Sequence, residues 1–437
     1  MSLEKIAGSD LAYHLVSFDE KGRPRPDADG VRPADELIAA LSAGSISDIF
    51  LMTHDWKGDW PAARAQFQEW VGAMARCKDD LRQARERCPT FNPLIVGLHW
   101  PSLPWGDEAH PASPASYDTT AIEVEELVAS AAATLSDSAR ARNALRILFE
   151  AALTDADPPQ LPKEVHQAYV ELEQECSRDV LLAGGLPDMD REPFQPEVAF
   201  LNGRSDATTY GSFTNALLSP LIQLSFWRMK DRARQVGEEG MFELLNALLS
   251  AADASIRFHL MGHSFGCIAA SATLAGPGGR MLSRPVSSLF LVQGALSLWS
   301  YCSEIALANG VPGYFRRVLD SSAVQGPIVT TRSQHDTAVG RLYPLAAGVA
   351  GQIVLDAPTD LPRYGGVGAF GLQGPGIKAI DLDMTPLGSI YDFERGTVYN
   401  VDAGTYICEG GGLSGAHNDI SKPEVAHAFW QAALSTF

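Results

Sequence analysis

Residues 262–266 read Gly-His-Ser-Phe-Gly, a spacing that can place a serine where it is able to react. The apolar stretch 258–261 leads into this motif, and the small residues of 267–272 lead out of it. A strand, a sharp turn and a helix in this order form a nucleophile elbow, which exposes the serine hydroxyl at the turn. Glycine on either side leaves room for the strained backbone. We therefore predict that Ser264 is a nucleophile at the electropositive end of a helix.

A serine hydroxyl needs a base to accept its proton, and the base needs an acid to orient it. His417 is the predicted base, because it lies in a glycine-rich loop just before a C-terminal helical pattern. Asp336 is the predicted acid, because it follows a strand-like segment at 327–331 and ligand sites collect at the carboxyl ends of parallel strands. The order serine, acid, histidine is the one expected after a nucleophile elbow.

Other acids and histidines could fill these two roles. Asp402 follows the last predicted strand and is the main rival of Asp336, which could instead cap the next helix. Four further acids are less well placed: Asp356, Asp360, Asp381 and Asp383. His335 competes with His417 but precedes the acid, and His427 falls inside the final helix, where simple packing would explain it.

The tetrahedral intermediate of this chemistry carries an oxyanion, which needs two N–H donors. The backbone N–H of Phe265, directly after the serine, is the first expected donor. The second is expected from the loop after an early strand, where His54, Asp55 and Trp56 follow one another. Asp55 or Trp56 would supply it, and the alternative reading of this loop is a surface turn with an aromatic anchor.

The elements that must position these residues alternate between strand and helix. Strands are predicted at 14–18, 46–53, 93–98, 288–293, 327–331 and 397–401, besides the strand that enters the serine motif. Helices are predicted at 34–43, 61–76, 224–249 and 423–434. Such an alternation is typical of an α/β fold with a parallel sheet.

Residues 103–220 interrupt this alternation. Their loop-rich ends flank a stretch at 119–180 with helical periodicity. We predict an inserted helical cap within a core made of 1–102 and 221–437. The alternative is that these helices pack on the sheet edge without a role at the site. Together with the Gly- and Pro-rich segment 340–395, the insertion is expected to shape the substrate pocket.

Composition narrows the class of protein. The 437 residues are 46% hydrophobic, enough for a large core, and carry a formal net charge of −19. That charge disfavours partners such as nucleic acid or anionic membrane. The six cysteines are scattered and form no CxxC pair, the N-terminus has no signal-peptide pattern, and no apolar run is long enough to span a bilayer. We therefore expect a cytoplasmic protein without a membrane span.

The serine motif, the strand before Asp336, the loop of His417 and the loop at 54–56 together resemble the α/β-hydrolase superfamily, in its serine esterase and lipase-like branch. The resemblance covers 46–102 and 221–437. It implies an eight-stranded, mostly parallel sheet with helices on both faces and a triad of Ser264, Asp336 and His417. One departure concerns the oxyanion loop, where many members have glycine after the histidine and this chain has Asp55.

The expected activity is hydrolysis of a small-molecule carboxylic ester through an acyl-enzyme on Ser264. We expect this chemistry to need no metal and no organic cofactor. An acyltransferase or an amidase would use the same triad, and a catalytically inactive hydrolase scaffold used for binding is the alternative from a different class. The substrate, the acyl-chain preference, the mobility of the insertion and the oligomeric state stay open.

Overall fold

The computed structural model describes most of the chain. The described residues are 2–19, 21–26, 30–44, 46–55, 60–102, 124–154, 158–182, 194–205, 216–306, 310–342, 355–356, 361–362, 364–411 and 414–437. The chain divides into two compact units. Unit 1 consists of Met1–Pro101, Arg232–Tyr343 and Gly365–Phe437, and unit 2 consists of Ser102–Asp231 and Pro344–Tyr364.

A mostly parallel sheet is the centre of unit 1. The strands are β1 (Ser2–Lys5), β2 (Ala12–Ser17), β3 (Asp48–Thr53), β4 (Pro93–His99), β5 (Arg257–His263), β6 (Ser288–Val292), β7 (Ile328–Arg332), β8 (Leu355–Asp356), β9 (Leu361–Pro362), β10 (Ala379–Asp383) and β11 (Val398–Asp402). Among the described residues, nine of them form this sheet in the order β1-β2-β4-β3-β5-β6-β7-β11-β10. Neighbouring strands run parallel except β1 and β2. The short strands β8 and β9 form a separate antiparallel pair in unit 2.

The sheet of the described chain has nine strands rather than the eight that the resemblance implied. The predicted strands β2, β3, β4, β6, β7 and β11 are confirmed to within two residues at each end. The edge strands β1 and β10 were not predicted. β10 reads Ala-Ile-Asp-Leu-Asp and is only lightly buried, so it lacks the continuous apolar run by which a buried parallel strand is recognised.

Helices connect the strands of unit 1 and make up most of the described residues of unit 2. They are α1 (Pro33–Ala43), α2 (Trp60–Arg76), α3 (Lys78–Arg87), α4 (Val124–Thr134), α5 (Ala139–Thr154), α6 (Lys163–Leu182), α7 (Pro196–Ser205), α8 (Ser219–Val236), α9 (Phe242–Ala251), α10 (Gly266–Ala275), α11 (Arg316–Asp320), α12 (Val367–Phe370) and α13 (Pro423–Leu434). The predictions for α1, α2 and α13 are confirmed. α13 begins with proline in its first turn, where the missing N–H costs no helical hydrogen bond.

The prediction of one continuous helix at 224–249 is wrong, because the helix is interrupted. A π-helical turn, Gly237–Met241, separates α8 from α9. Gly237 in this turn lies against α10, and a Cβ on it would approach the Cβ of Ala272 to 2.8 Å. The wider turn and the missing side chain allow this close approach, which helical periodicity alone does not indicate.

The core of unit 1 fills the space between the sheet and its helices. All six residues of β3 are buried, as expected for a parallel strand covered on both faces. On one face, Phe429 of α13 packs against Phe50 of β3 at 5.5 Å between ring centroids and stacks on Phe290 of β6 at 5.4 Å. Phe67 and Trp70 of α2 belong to the same apolar cluster. This packing holds the strands in the register that brings their carboxyl ends together.

Unit 2 has an apolar core of its own. Val128, Leu145 and Tyr169 of α4, α5 and α6 are fully buried in it, and the Tyr169 hydroxyl donates to the carbonyl of Leu217. Helices were expected in this part of the chain. The unit differs from the predicted 103–220 insertion because it extends to Asp231 and includes 344–364.

Parts of the predicted pocket-forming segments lie outside the described residues, namely 103–123 and most of 343–360. Of the segment 340–395, the stretch 364–395 contains α12 and β10. In the portion of the chain that the structure describes, no helix has the length and apolar character required to cross a membrane.

Candidate active site

The predicted site residues of unit 1 lie where parallel strands end. Ser264 follows the last residue of β5, and Asp336 follows β7 after a short turn. Asp55 follows β3, which pairs with β5 in a register that sets Thr53 opposite Gly262. Since ligand sites of open parallel sheets lie at this edge, the sheet brings segments that are far apart in sequence to one place.

The serine sits on a strained turn. Ser264 has a φ of 55°, a left-handed conformation that is uncommon for residues other than glycine. Its N–H donates to the carbonyl of Val292 at 3.1 Å. A Cβ on Gly262 would lie 2.7 Å from the backbone nitrogen of Cys267, and one on Gly266 would lie 2.6 Å from the carbonyl oxygen of His54. The two glycines are therefore required by close backbone contacts, as predicted for a nucleophile elbow.

Ser264, His417 and Asp336 form one line of hydrogen bonds. The Ser264 Oγ lies 2.8 Å from Nε2 of His417, and Nδ1 of His417 lies 2.7 Å from Oδ2 of Asp336. All three residues are at most 5% exposed. A carboxylate only accepts, so Nδ1 carries the proton and Nε2 of the neutral ring accepts from the serine. This is the tautomer in which His417 can take the proton of Ser264.

The loop of His417 is fixed on two sides. Gly415 pairs with Asp336 as an isolated antiparallel bridge, and the N–H of Ala416 donates to the carbonyl of His335 at 2.9 Å. On the other side, Nε2 of His263 donates to the carbonyl of His417 at 3.0 Å. Burial lowers the pKa of His263 to about 4, so this ring stays neutral at physiological pH. The second residue of the serine motif therefore anchors the histidine loop, a role that the motif itself does not indicate.

Asp336 has a second buried partner that sequence reasoning missed. The Nε2 of Gln293 donates to Oδ2 of Asp336 at 2.9 Å, the same oxygen that accepts from His417. The hydroxyl of Thr331 donates to Oε1 of Gln293 at 2.9 Å. The N–H of Val339 donates to Oδ1 of Asp336, also at 2.9 Å. Gln293 directly follows β6, and its place at a strand end is the one signal that could have identified it.

Asp55 does not lie in a simple surface turn, because its side chain is next to His417. Its Oδ2 lies 3.7 Å from Nε2 of His417, and its side chain is 17% exposed. Its carbonyl accepts a hydrogen bond from Nδ1 of His54 at 2.7 Å. The carboxylate thus faces the histidine on the edge opposite Asp336. Phe265 lies directly after Ser264 at the start of α10, and Trp56 lies outside the described residues.

The backbone of this loop rests on a buried aromatic stack. Because Nδ1 of His54 donates to a carbonyl, its Nε2 accepts, and Nδ1 of His99 donates to it at 2.8 Å. The indole N–H of Trp100 donates to the carbonyl of His54 at 3.1 Å. Burial lowers the pKa of His54 to about 4 and that of His99 to about 2, so both rings are neutral.

Opposing effects act on the pKa of His417. Burial disfavours the charged ring, but the charge and hydrogen bond of Asp336 and the charge of Asp55 outweigh it and raise this pKa to about 9. In the free site, His417 is therefore protonated more readily than an ordinary histidine. It becomes a proton acceptor as the pH rises towards 9.

The other candidates for the acid and the base, Asp402, His335 and His427, lie in different environments. Asp402 lies 3.8 Å from Arg332, which also pairs with Asp381 at 3.5 Å. His335 is exposed. Nδ1 of His427 hydrogen-bonds to the buried Asp80 at 2.7 Å, so this histidine is part of the packing of α13.

Asp55, His263 and His417 bring side-chain nitrogen and oxygen atoms within 4.8 Å of one another, a spacing that a metal ion would also need. Both ring nitrogens of His417 are engaged by Asp336 and Ser264, and Nε2 of His263 donates to a carbonyl. These three ring nitrogens therefore take part in the hydrogen-bond network of the site.

Comparisons of the chain with known protein families, with curated proteins and with solved structures find no match. Any function assigned to this site therefore depends on the geometry of its residues.

Proposed function

We propose that the protein is a serine hydrolase of the α/β-hydrolase superfamily that cleaves a carboxylic ester. One observation carries the proposal: the line of hydrogen bonds from Ser264 through His417 to Asp336, at 2.8 and 2.7 Å, begins at a serine on a strained strand-to-helix turn. The mostly parallel sheet and the order of the three residues along the chain support the superfamily.

In the proposed reaction, the Oγ of Ser264 attacks the carbonyl carbon of the ester while Nε2 of His417 accepts the hydroxyl proton. Asp336 keeps the Nδ1 proton in place and stabilises the imidazolium. The bond to the alcohol breaks as His417 delivers the proton to the leaving oxygen. Water then attacks the acyl-enzyme by the same route and releases the acid.

The oxyanion of the intermediate needs two N–H donors. The proposed donors are the backbone N–H of Phe265, at the start of α10, and that of Asp55 or Trp56. The positive end of α10 adds to the stabilisation of negative charge beside Ser264.

Reaction with a fluorophosphonate probe tests the proposal. We expect the probe to label the protein on Ser264, as located by mass spectrometry of the modified peptide, because an activated serine attacks the phosphorus. Ser264→Ala should abolish labelling and lower kcat for ester hydrolysis by about 10⁶-fold, the scale seen when a triad serine is removed.

Ser250→Ala is a matched control, because this exposed serine bonds only within its own part of the surface, to Asn246 and Ser283. It should be labelled like the wild type. A folded wild-type protein that stays unlabelled would favour the binding-scaffold alternative. Esters tested with added alcohol and amides of the same acyl group separate hydrolysis from acyl transfer and from amide cleavage.

A further inference from the structure

Two carboxylates face the ring of His417, one at each nitrogen. Oδ2 of Asp336 lies 2.7 Å from Nδ1, and Oδ2 of Asp55 lies 3.7 Å from Nε2, the nitrogen that also meets Ser264. A triad requires only the first of these acids. The second stands on the edge of the ring where the proton of the serine arrives.

The backbone of Asp55 is held by contacts with buried residues. The carbonyl of Asp55 accepts from His54, whose ring is held by His99 and whose own carbonyl accepts from Trp100. These three rings are fully buried. These contacts hold the backbone of Asp55, and its carboxylate lies 3.7 Å from Nε2 of His417, close enough for its charge to act on the ring.

The groups that face His417 can be named from each neighbouring element. They are Asp336 from the turn after β7, Asp55 from the loop after β3, and His263 from the end of β5, with 5.0 Å between the ring centroids of His263 and His417. His263 donates to a carbonyl through Nε2 and lies 3.4 Å from the amide nitrogen of Gln66 through Nδ1, as a neutral ring does. Two negative charges and a neutral ring therefore surround the imidazole.

We propose that Asp55 is a positioning residue of the catalytic base, which acts on the Nε2 edge of His417 and raises the pH at which this ring can accept the proton of Ser264. This inference rests on the proposed function, because it assigns a role within the same reaction. The attraction favours the imidazolium before the substrate reacts, so it lowers the fraction of His417 in the base form. It also favours the imidazolium that forms when the serine proton has moved.

The inference predicts the shape of the pH profile. Because the pKa of His417 is raised to about 9, kcat/KM for a neutral ester should rise about tenfold per pH unit below 9 and level off above it. Asp55→Asn keeps the size of the side chain and removes the charge. It should move the midpoint down by about 0.7 pH unit or more, since that is the attraction of unit charges 4 Å apart even in bulk water. The ratio of the rate at pH 7 to the plateau rate should then rise about fivefold.

Asp402→Asn is the matched control. Asp402 also follows a strand of the sheet, but it pairs with Arg332 instead of His417. Its removal should leave the midpoint unchanged. An Asp55→Asn profile that superimposes on the wild-type profile, or an equal shift in Asp402→Asn, would overturn the inference.

A measurement without turnover separates this inference from the proposed function. Nitrogen-15 NMR titration of the histidine rings in Ser264→Ala and in Ser264→Ala/Asp55→Asn reports the pKa of His417 directly. A lower pKa in the double variant supports the role of Asp55 even if ester hydrolysis is absent. Equal pKa values contradict it even if Ser264 proves to be the nucleophile. Thermal melts of each variant check that the fold is retained.

Discussion

Gln293 links the acid of the site to the strand beside it. Its amide donates to Asp336, and its Oε1 accepts from Thr331. Its φ of 45° is unusual for a residue with a side chain, and such backbone costs about 1 kcal/mol or more. Strain of this kind persists where the surroundings hold a residue in place, here in a fully buried position. We infer that Gln293 keeps the carboxylate of Asp336 in line with His417.

Gln293→Leu removes this support while keeping a side chain of similar size. We expect kcat/KM for an ester to fall by about 10 to 100-fold, mainly through kcat, because a displaced carboxylate misaligns the base. Asp336 Oδ2 then loses one of its two donors and the Thr331 hydroxyl loses its acceptor, which should also lower the free energy of unfolding by about 1–3 kcal/mol. Steady-state kinetics and urea unfolding measure the two effects.

Gln431→Leu provides the comparison, since the buried Gln431 donates to another buried carboxylate, that of Asp80, at 2.6 Å. This variant should lose stability to a similar extent and keep its ester activity per folded molecule. Equal activity losses in both variants would mean that Gln293 has no particular role at the site.

At the scale of elements, the turn between β5 and α10 sets the position of the serine. Gly266 begins α10 directly against the end of β3, where a Cβ would lie 2.5 Å from the carbonyl oxygen of Thr53 and 2.6 Å from that of His54. Both contacts are with backbone atoms, which cannot rotate away. The helix can therefore approach the strand only while this residue is glycine.

Gly266→Ala should push α10 away from β3. We expect the rate of fluorophosphonate labelling to fall more than about 100-fold, because Ser264 then loses its alignment with His417. The free energy of unfolding should fall by about 1–3 kcal/mol, the usual cost of overpacking a close contact. Labelling kinetics and chemical denaturation test both expectations.

Gly72→Ala is the control for this substitution, because Gly72 lies within α2 and an added Cβ would meet only the end of the flexible Arg76 side chain, at 3.9 Å. It should leave labelling unchanged and raise the free energy of unfolding by about 0.4–1 kcal/mol. If Gly266→Ala behaves like Gly72→Ala, the proposed contact between α10 and β3 is wrong.

At the scale of the whole molecule, burial of neutral histidines couples folding to pH. Burial lowers the pKa of His54 and of His263 to about 4 and that of His99 to about 2. The unfolded chain takes up these protons near pH 6.5, whereas the folded chain does not. Their contribution to stability is therefore complete above pH 6.5 and is lost as the pH falls below it.

His417 acts in the opposite direction and in a different pH range. Its raised pKa of about 9 means that the folded chain binds a proton which the unfolded chain releases near 6.5. The stability that this proton confers is present below about pH 6.5 and is lost as the pH rises through 9.

We expect the free energy of unfolding to fall from pH 6.5 to 5, with a slope that steepens towards about three protons, or about 4 kcal/mol per pH unit, near pH 5. Urea unfolding at pH 5, 5.5, 6 and 6.5 measures this slope. His54→Gln should reduce the slope near pH 5 by about one proton. A free energy of unfolding that does not change between pH 5 and 6.5 would contradict the conclusion that these rings are buried in their neutral form.

The sequence predicts much of the fold, because local patterns report burial. Apolar runs identified β3 and β4, helical spacing identified α13, and a first-turn proline marked the start of α2. The edge strand β10 escaped prediction because one flank of it has no neighbouring strand and its residues are little buried. The break between α8 and α9 escaped because it depends on the approach of another helix, which no local pattern records.

By itself, the sequence determined the serine turn, the strand ends that carry Asp336 and Asp55, and the glycine-rich loop of His417. Each of these follows from backbone preferences over a few residues. Only the tertiary structure decided that Gln293 bonds to Asp336, that His263 holds the histidine loop, and that Asp55 faces Nε2 of His417. Such contacts join segments as far apart as 362 positions, and their distances depend on how whole strands and helices pack.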